Sequence, residues 1–323
     1  MVKAIALFSG GLDSMLAAEL TRRQKIDVLC LTFTTPFFNA QKARNAAKLL
    51  NLSLVVEDIT IPHLKMLKSP HYGYGKNMNP CIDCHTLMLQ IAGEKMKKDG
   101  FDFLITGEVL GQRPMSQNKQ SLYIVSKNSG YSDYILRPLS AQLLDPIKAE
   151  REKIIDRSQL LAIQGRGRKF QIKLDADFGI KYYAPPAGGC LLTDPMFTRR
   201  LHDLFSHQED YSIRDFNLLK YGRHFRADNH GKIIVGRNNT DNEKMREFSI
   251  NEDIALFMAD FPGPYVLIPY GNMDMLPLAA SLCVRYSDAP SDCEASVIYQ
   301  HKNSSNMIKV KAAAKEDCEK WVI

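Results

Sequence analysis

Ser9-Gly10-Gly11-Leu12-Asp13-Ser14 follows directly on the apolar run Ala4-Ile5-Ala6-Leu7-Phe8. A short apolar run without alternation reads as a buried parallel strand. Leu12, Leu16 and Leu20 then share one face of a helix. Between strand and helix, Gly10 and Gly11 let the backbone turn sharply and come close to a ligand. Such a turn leaves free N–H groups at a helix N-terminus, where anions bind. Ser9 and Ser14 add hydroxyl donors, and Asp13 supplies a carboxylate suited to Mg²⁺. The loop has neither the Gly-Lys-Ser/Thr ending of a Walker A loop nor the Gly-x-Gly-x-x-Gly spacing. It is expected to hold the phosphates of ATP; the plain alternative is a glycine turn with no ligand.

Outward from this loop, strands and helices alternate. Asp27 to Thr34 and Leu52 to Val56 read as strands, with a basic amphipathic helix from Ala40 to Leu50 between them. Thr86 to Lys98 reads as a helix, Phe101 to Thr106 as a strand, and Asp145 to Leu161 as a last helix. Alternation of this kind predicts an α/β fold with a doubly wound parallel sheet. Ligands then bind beyond the carboxyl ends of the strands. The Ser9–Ser14 loop sits at such an end, and so does Thr106-Gly107-Glu108. Residues 166–200 open, after Gly165, on Arg166-Gly167-Arg168 and carry Pro185-Pro186-Ala187-Gly188-Gly189-Cys190 later, the composition of a connector with a shaped loop. From 201 onward, short β-branched runs and an Asn229-His230-Gly231 turn read as a smaller α+β domain. The expected organisation is 1–165, 166–200 and 201–323.

A length of 323 residues favours two domains, and 45% hydrophobic residues is ordinary for a globular chain. No stretch approaches the roughly 20 apolar residues of a membrane span. The start, Met1-Val2-Lys3 before a short apolar run, is too brief for a signal peptide. The expected location is the cytoplasm, with no membrane partner, and the seven cysteines are expected as thiols, metal ligands or redox groups. The net charge of +6 is uneven. Residues 161–240 hold thirteen basic against eight acidic side chains, and residues 241–323 eight against thirteen. A basic stripe in mid-chain suits a polyanion; otherwise it is a solvated face.

Asn79-Pro80-Cys81-Ile82-Asp83-Cys84-His85 is the second informative stretch. Two cysteines three apart can chelate one metal or form a redox pair. Cys190, in its proline–glycine loop, is the natural third member. Four readings compete: a [4Fe-4S] cluster on Cys81, Cys84 and Cys190 with one iron left open; a persulfide relay resolved by disulfide formation; a structural zinc with His85 or another cysteine as fourth ligand; and haem attachment, which the Cys-x-x-Cys-His spelling allows. Cys30, in an apolar strand, reads as a small hydrophobe. Cys283, Cys293 and Cys318 have no partner at useful spacing.

The Ser9–Ser14 loop resembles the PP-loop of the N-type ATP pyrophosphatases, which include GMP synthetase, asparagine synthetase and the tRNA thiolases. Thr106-Gly107-Glu108-Val109-Leu110-Gly111-Gln112, followed by Ser116-Gln117, resembles the stretch after the fourth strand of tRNA 4-thiouridine synthetase. Asn79-Pro80-Cys81-x-x-Cys84 resembles the cysteine segment of the tRNA 2-thiouridylases. Ile135-Leu136-Arg137-Pro138-Leu139, before a helix bearing Lys148, is similar to the end of this domain. Residues 233–238, Asn242 and Pro262-Gly263-Pro264 resemble the RNA-binding domain of NFACT proteins.

The resemblance implies Mg²⁺ and ATP at Ser9, Gly10, Gly11, Asp13 and Ser14, with Gly107, Glu108 and Gln112 near the nucleotide and the reacting base. It implies a tRNA uridine whose carbonyl oxygen is adenylated, with release of pyrophosphate and AMP, and replaced by sulfur from a donor. Its cluster-bearing subgroup would use Cys81, Cys84 and Cys190, with zinc as the alternative. Arg166, Arg168, Arg223, Arg226 and Arg237 would hold RNA phosphate, unless local acids pair them. The rival readings are a PP-loop ligase acting on a small molecule with a structural zinc, and a non-catalytic RNA-binding adaptor.

Overall fold

The computed structural model describes residues 2–180, 189–227, 231–290 and 293–323. They divide into two compact units, Met1–Thr193 and Asp194–Ile323. Unit 1 runs β1 (Lys3–Leu7), α1 (Leu12–Arg22), β2 (Asp27–Thr34), α2 (Gln41–Leu50), β3 (Leu54–Asp58), α3 (Thr60–Lys68), α4 (Cys81–Asp99), β4 (Phe103–Thr106), α5 (Lys119–Ser129), β5 (Ile135–Leu136), α6 (Lys148–Arg151) and α7 (Lys169–Phe178). Its five strands are parallel in the order β3-β2-β1-β4-β5.

Both faces of this sheet are covered, which is why its strands read as continuous apolar runs. Ala4, Ala6, Cys30, Phe103 and Ile105 join the core with Leu12 and Leu16 of α1. Ile5, Leu31, Phe33 and Leu104 point the other way, toward Leu89, Ala92 and Met96 of α4. The strand order reverses between β1 and β4, whose ends pair as Leu7 with Thr106. That reversal is where a doubly wound sheet opens a crevice for a ligand.

Three elements differ from expectation. The cysteine-bearing helix begins at Cys81 rather than Thr86: Pro80 takes the cap position, and Cys84 N–H closes the first turn on the Pro80 carbonyl at 2.8 Å. Asp83, in that turn, accepts the backbone N–H of His71 and of Tyr72 at 3.0 Å each. The expected helix 145–161 shrinks to α6 and a 3₁₀ turn, Arg157–Gln159. Glu150 caps the start of α6 by accepting the Ile147 N–H at 2.9 Å, and Lys153 adopts a left-handed φ of 56° just beyond its last residue, which stops the helix. The stretch read as a connector holds α7 in unit 1, where Leu174 and Phe178 pack on the core and Arg23 stacks over Phe178 at 3.9 Å. Pro185 to Gly188 lie outside the described residues, as do Asn229 and His230 of the expected turn.

Unit 2 runs α8 (Pro195–His207), α9 (Ile213–Leu218), β6 (Arg223–Arg226), β7 (Lys232–Val235), α10 (Asn239–Glu247), β8 (Ile254–Met258), β9 (Val266–Ile268), α11 (Leu276–Arg285), β10 (Ala295–His301), β11 (Ser304–Val310) and α12 (Lys315–Trp321). Its antiparallel sheet has the order β11-β10-β8-β9-β7-β6. Side chains alternate with period two. Ile233, Val235, Ile254, Leu256, Val266 and Ile268 face α11, while Ile234, Ala255 and Leu267 face Leu218 and Met245 on the other side. Cys283 belongs to this core. No helix among the described residues is long and apolar enough to cross a membrane.

Gly10 is one of the tight points of unit 1. Its φ is +74°, and a Cβ there would lie 2.4 Å from the carbonyl carbon of Lys42 at the start of α2. Gly10→Ala is therefore expected to cost about 1–3 kcal/mol of stability, read as a lower urea midpoint. Gly167→Ala, with nothing within 4 Å, should leave the midpoint unchanged. Equal midpoints for both variants would contradict the close approach.

Candidate functional site

The Ser9–Ser14 loop spans the end of β1 and the first turn of α1. Gly11 N–H donates to Ser9 Oγ at 3.3 Å, and Ser14 Oγ donates to the Gly11 carbonyl at 2.8 Å. From the neighbouring strand end, Gly107 lies flat against this turn: a Cβ on it would fall 2.5 Å from Ser14 N and 2.7 Å from the Asp13 carbonyl carbon. Glycine at 107 is what lets the β4 end meet the β1 loop.

Asp13 is held from two sides. Its Oδ2 accepts Gln112 Nε2 at 2.7 Å and the Arg168 guanidinium at 3.3 Å. Gln112 in turn accepts Gln171 Nε2 at 3.4 Å, and Gln171 is fully buried. Asp13 Oδ1, Arg168 Nε and Gln171 Oε1 are buried with no hydrogen-bond partner. Buried polar atoms left unpaired are costly, and a polar ligand beside this cluster would satisfy them. Mg²⁺ is bound through one or two carboxylates plus substrate phosphates, so Asp13 and the loop amides fit Mg²⁺ with a nucleotide polyphosphate. Arg168, expected on an RNA-facing stripe, lies instead in this cluster, because α7 folds back onto unit 1. Arg166 is exposed.

The residue after Gly107 links this loop to the cysteines. Glu108 is buried, its Oε2 accepting Arg137 Nε at 2.9 Å and Thr106 Oγ1 at 3.1 Å. Its Oε1 lies 3.0 Å from His85 Nδ1, one residue beyond Cys84. Burial works against the carboxylate charge, but Arg137 and His85 outweigh it and hold the pKa down at about 2. Glu108 is thus a structural pivot with its oxygens engaged. His85 is committed to it rather than to a metal.

Cys81 and Cys84 sit one helical turn apart, on one side of α4. Asn79 Nδ2 lies 3.3 Å from Cys81 Sγ. Cys190 is brought near by Leu191 N–H, which donates to the Phe37 carbonyl at 2.9 Å, and by Asn77, whose amide reaches the Thr193 carbonyl at 2.8 Å. Burial pushes the Cys84 thiol up, and the neighbouring Cys190, Cys81 and Asp83 push it the same way. Burial also raises Cys190, to about 11, partly offset by the Leu192 N–H. All seven cysteines are free thiols. Among the described residues, no three His, Cys, Asp or Glu side chains are arranged to hold a metal ion. The trio therefore forms a thiol neighbourhood and not a ready metal cage.

In unit 2 the expected phosphate-binding arginines have local partners. Arg226 is clamped by Asp203 at 2.5 and 2.9 Å, with Lys232 on the same carboxylate at 3.1 Å. Arg237 binds Asp241 at 2.6 Å but is exposed. Arg223 stacks 4.7 Å from the Tyr286 ring centroid. Gly236 and Asn242 are fold determinants: a Cβ on Gly236 would overlap Asn242 Oδ1, which accepts the Tyr265 N–H at 3.1 Å.

Reading the residues alone missed Gln171 and the pairing of Arg137 with Glu108. The i, i+4 spacing of Leu174 and Phe178 was the available signal for α7. Arg137 is only 7% exposed, so Glu108→Gln leaves its charge buried and unpaired. The variant is expected to lose about 3–5 kcal/mol at pH 7. Because the native carboxyl titrates near 2 and an unfolded glutamate near 4.5, the wild-type advantage is full above 4.5 and shrinks as pH falls toward 2. Urea unfolding of both proteins across that range checks the loss and its direction.

Comparison with known proteins now bears on this geometry. Residues 1–161 match the family model described as thiamine biosynthesis protein (ThiI), and residues 222–322 match the NFACT protein RNA binding domain. A probable tRNA sulfurtransferase of Thermoanaerobacter is 30% identical over 166 residues, 50% of this chain and 40% of its own length. One from Methanocaldococcus jannaschii is 32% identical over 149 residues, 42% of this chain and 36% of its own. The chain thus spans about two fifths of the length of these curated relatives. A solved 4-thiouridine synthetase–RNA complex with bound ATP is 18% identical over 68% of this chain and 52% of its own, with a TM-score of 0.39. Residues 1–161 thus carry a ThiI-type PP-loop domain, and residues 222–322 an NFACT-type RNA-binding domain.

Proposed function

We propose that this protein is an ATP-dependent tRNA sulfurtransferase that adenylates a uridine carbonyl oxygen and replaces it with sulfur. The observation that carries the reading is a run of two residues. Gly107 touches the Asp13–Ser14 turn, and Glu108 holds His85 beside Cys84. The Ser9–Ser14 loop and the cysteine-bearing turn of α4 are thereby tied to one strand end.

A carbonyl oxygen is a poor leaving group; transferred to the α-phosphate of ATP it leaves as AMP. Ser9, Gly10, Gly11 and Ser14 would cradle the phosphates, and Asp13 would hold Mg²⁺, which neutralises charge developing on pyrophosphate. Gln112, through Asp13, orients that carboxylate. Sulfur delivery falls to Cys81, Cys84 and Cys190. In a relay, an external persulfide donor loads one cysteine. The terminal sulfur of that persulfide attacks the activated carbon and AMP departs. A second cysteine thiolate then attacks the enzyme-bound sulfur, closing a disulfide and freeing the thiolated base, and a thiol reductant restores the pair. A [4Fe-4S] cluster on the same three cysteines is the other form of this centre, and zinc the third. Metal analysis of an anaerobic preparation separates the forms. The names of the relatives support tRNA as substrate, and unit 2 supports an RNA-binding role; binding through phosphate contacts should weaken as salt rises. A cytoplasmic location accords with that substrate.

Pyrophosphate release should be stimulated by tRNA and not by free nucleobases. Asp13→Asn should lower it about a hundredfold or more, in the range seen when a transition-state contact is removed. Cys190→Ala should keep tRNA-stimulated pyrophosphate release while losing sulfur transfer. Release stimulated by a small nucleobase instead would support the ligase reading, and no ATP turnover under any condition the adaptor.

A further inference from the structure

Arg168 is 155 residues from Asp13 in sequence yet donates to its carboxylate. Three facts make this more than a strut. The bond is long, at 3.3 Å, while Arg168 Nε is buried without a partner. Gln171, one turn along α7, is fully buried, and its Oε1 also lacks a partner. Asp13 has one oxygen shared by two donors and the other with none. The helix itself is seated by other contacts, Leu174 and Phe178 on the core and the Arg23–Phe178 stack. Its N-terminal end therefore places an unsatisfied donor and an unsatisfied acceptor beside Asp13 and Gln112.

Mg²⁺ bound at Asp13 repels a guanidinium on the same carboxylate and weakens its hold there. A displaced guanidinium beside a polyphosphate has an immediate alternative, since its forked donors match phosphate oxygens. We propose that Arg168 is a nucleotide-binding residue that rests on Asp13 in the free site and moves onto the polyphosphate when Mg·ATP binds, so that α7 registers occupancy of the site. The inference rests on the ATP reading above and adds a residue that lies outside the PP-loop and outside the Thr106–Gln112 stretch. The last residue of α7, Phe178, is followed twelve residues later by Cys190, so the same segment of chain leads from the nucleotide to the thiols.

Equilibrium binding of Mg·ATP and of AMP to wild type, Arg168→Ala and Arg168→Lys tests this, with amide hydrogen exchange followed over residues 169–178. Arg168→Ala is expected to weaken Mg·ATP by on the order of tenfold or more, to leave AMP within about twofold, and to be partly rescued by lysine. In the wild type, exchange over α7 should change with Mg·ATP and not with AMP. Equal Mg·ATP affinity in wild type and Arg168→Ala, or a uniform loss of ATP and AMP binding with a lowered unfolding midpoint, would reduce Arg168 to a strut and overturn the proposal. A wild-type chain that binds no Mg·ATP would overturn the ATP reading itself, an outcome distinct from either.

Discussion

Gly107 against Ser14 is the contact on which the rest of unit 1 depends. Two strand ends meet with no Cβ between them, and a side chain at 107 would drive the β4 end off the turn of α1. Gly10 does the same on the other side, against the start of α2. Packing of this kind leaves little freedom, because protein interiors are close-packed and transmit displacement. The β1 loop is therefore presented in one shape at the N-terminus of α1. Under the proposed function, a loop held this way would meet phosphate without changing its own shape.

The next residue extends the constraint. Glu108 is buried beside Arg137, with Thr106 and His85 completing its shell. Removing one partner of a buried ion pair is far more damaging than never having had the pair. The pivot therefore fixes relative position more than it adds stability. Through it the first turn of α4, with Cys81 and Cys84, is registered to the PP-loop. A reaction that activates an oxygen in one place and delivers sulfur from another needs that registration, since misplacement by about 1 Å can cost on the order of a hundredfold in rate.

Much of this was legible in the residues. Uniform apolar strands, spaced leucines and paired glycines leave few alternatives to a doubly wound sheet with a phosphate loop at its switch point. What was not legible depended on partners distant in sequence. Arg168 looked like part of a basic stripe, because composition registers charge and not the carboxylate 155 positions away that neutralises it. Arg226 likewise has a carboxylate partner, Asp203, 23 positions away. Local rules failed at two element ends. Pro80, at the cap position, started α4 one turn earlier than apolar periodicity suggested. Lys153 stopped α6 by taking a left-handed conformation that few lysines adopt. The cysteines were found by spacing, but spacing alone does not distinguish a metal cage from a set of thiols.

Incubation of unmodified tRNA with the protein, Mg·ATP and a sulfide or persulfide donor, followed by mass spectrometry of the digested nucleosides, tests the central claim most directly. The account predicts a uridine that has exchanged one oxygen for sulfur, formed with AMP and pyrophosphate and absent with Asp13→Asn. Turnover of ATP with every nucleoside mass unchanged would contradict it.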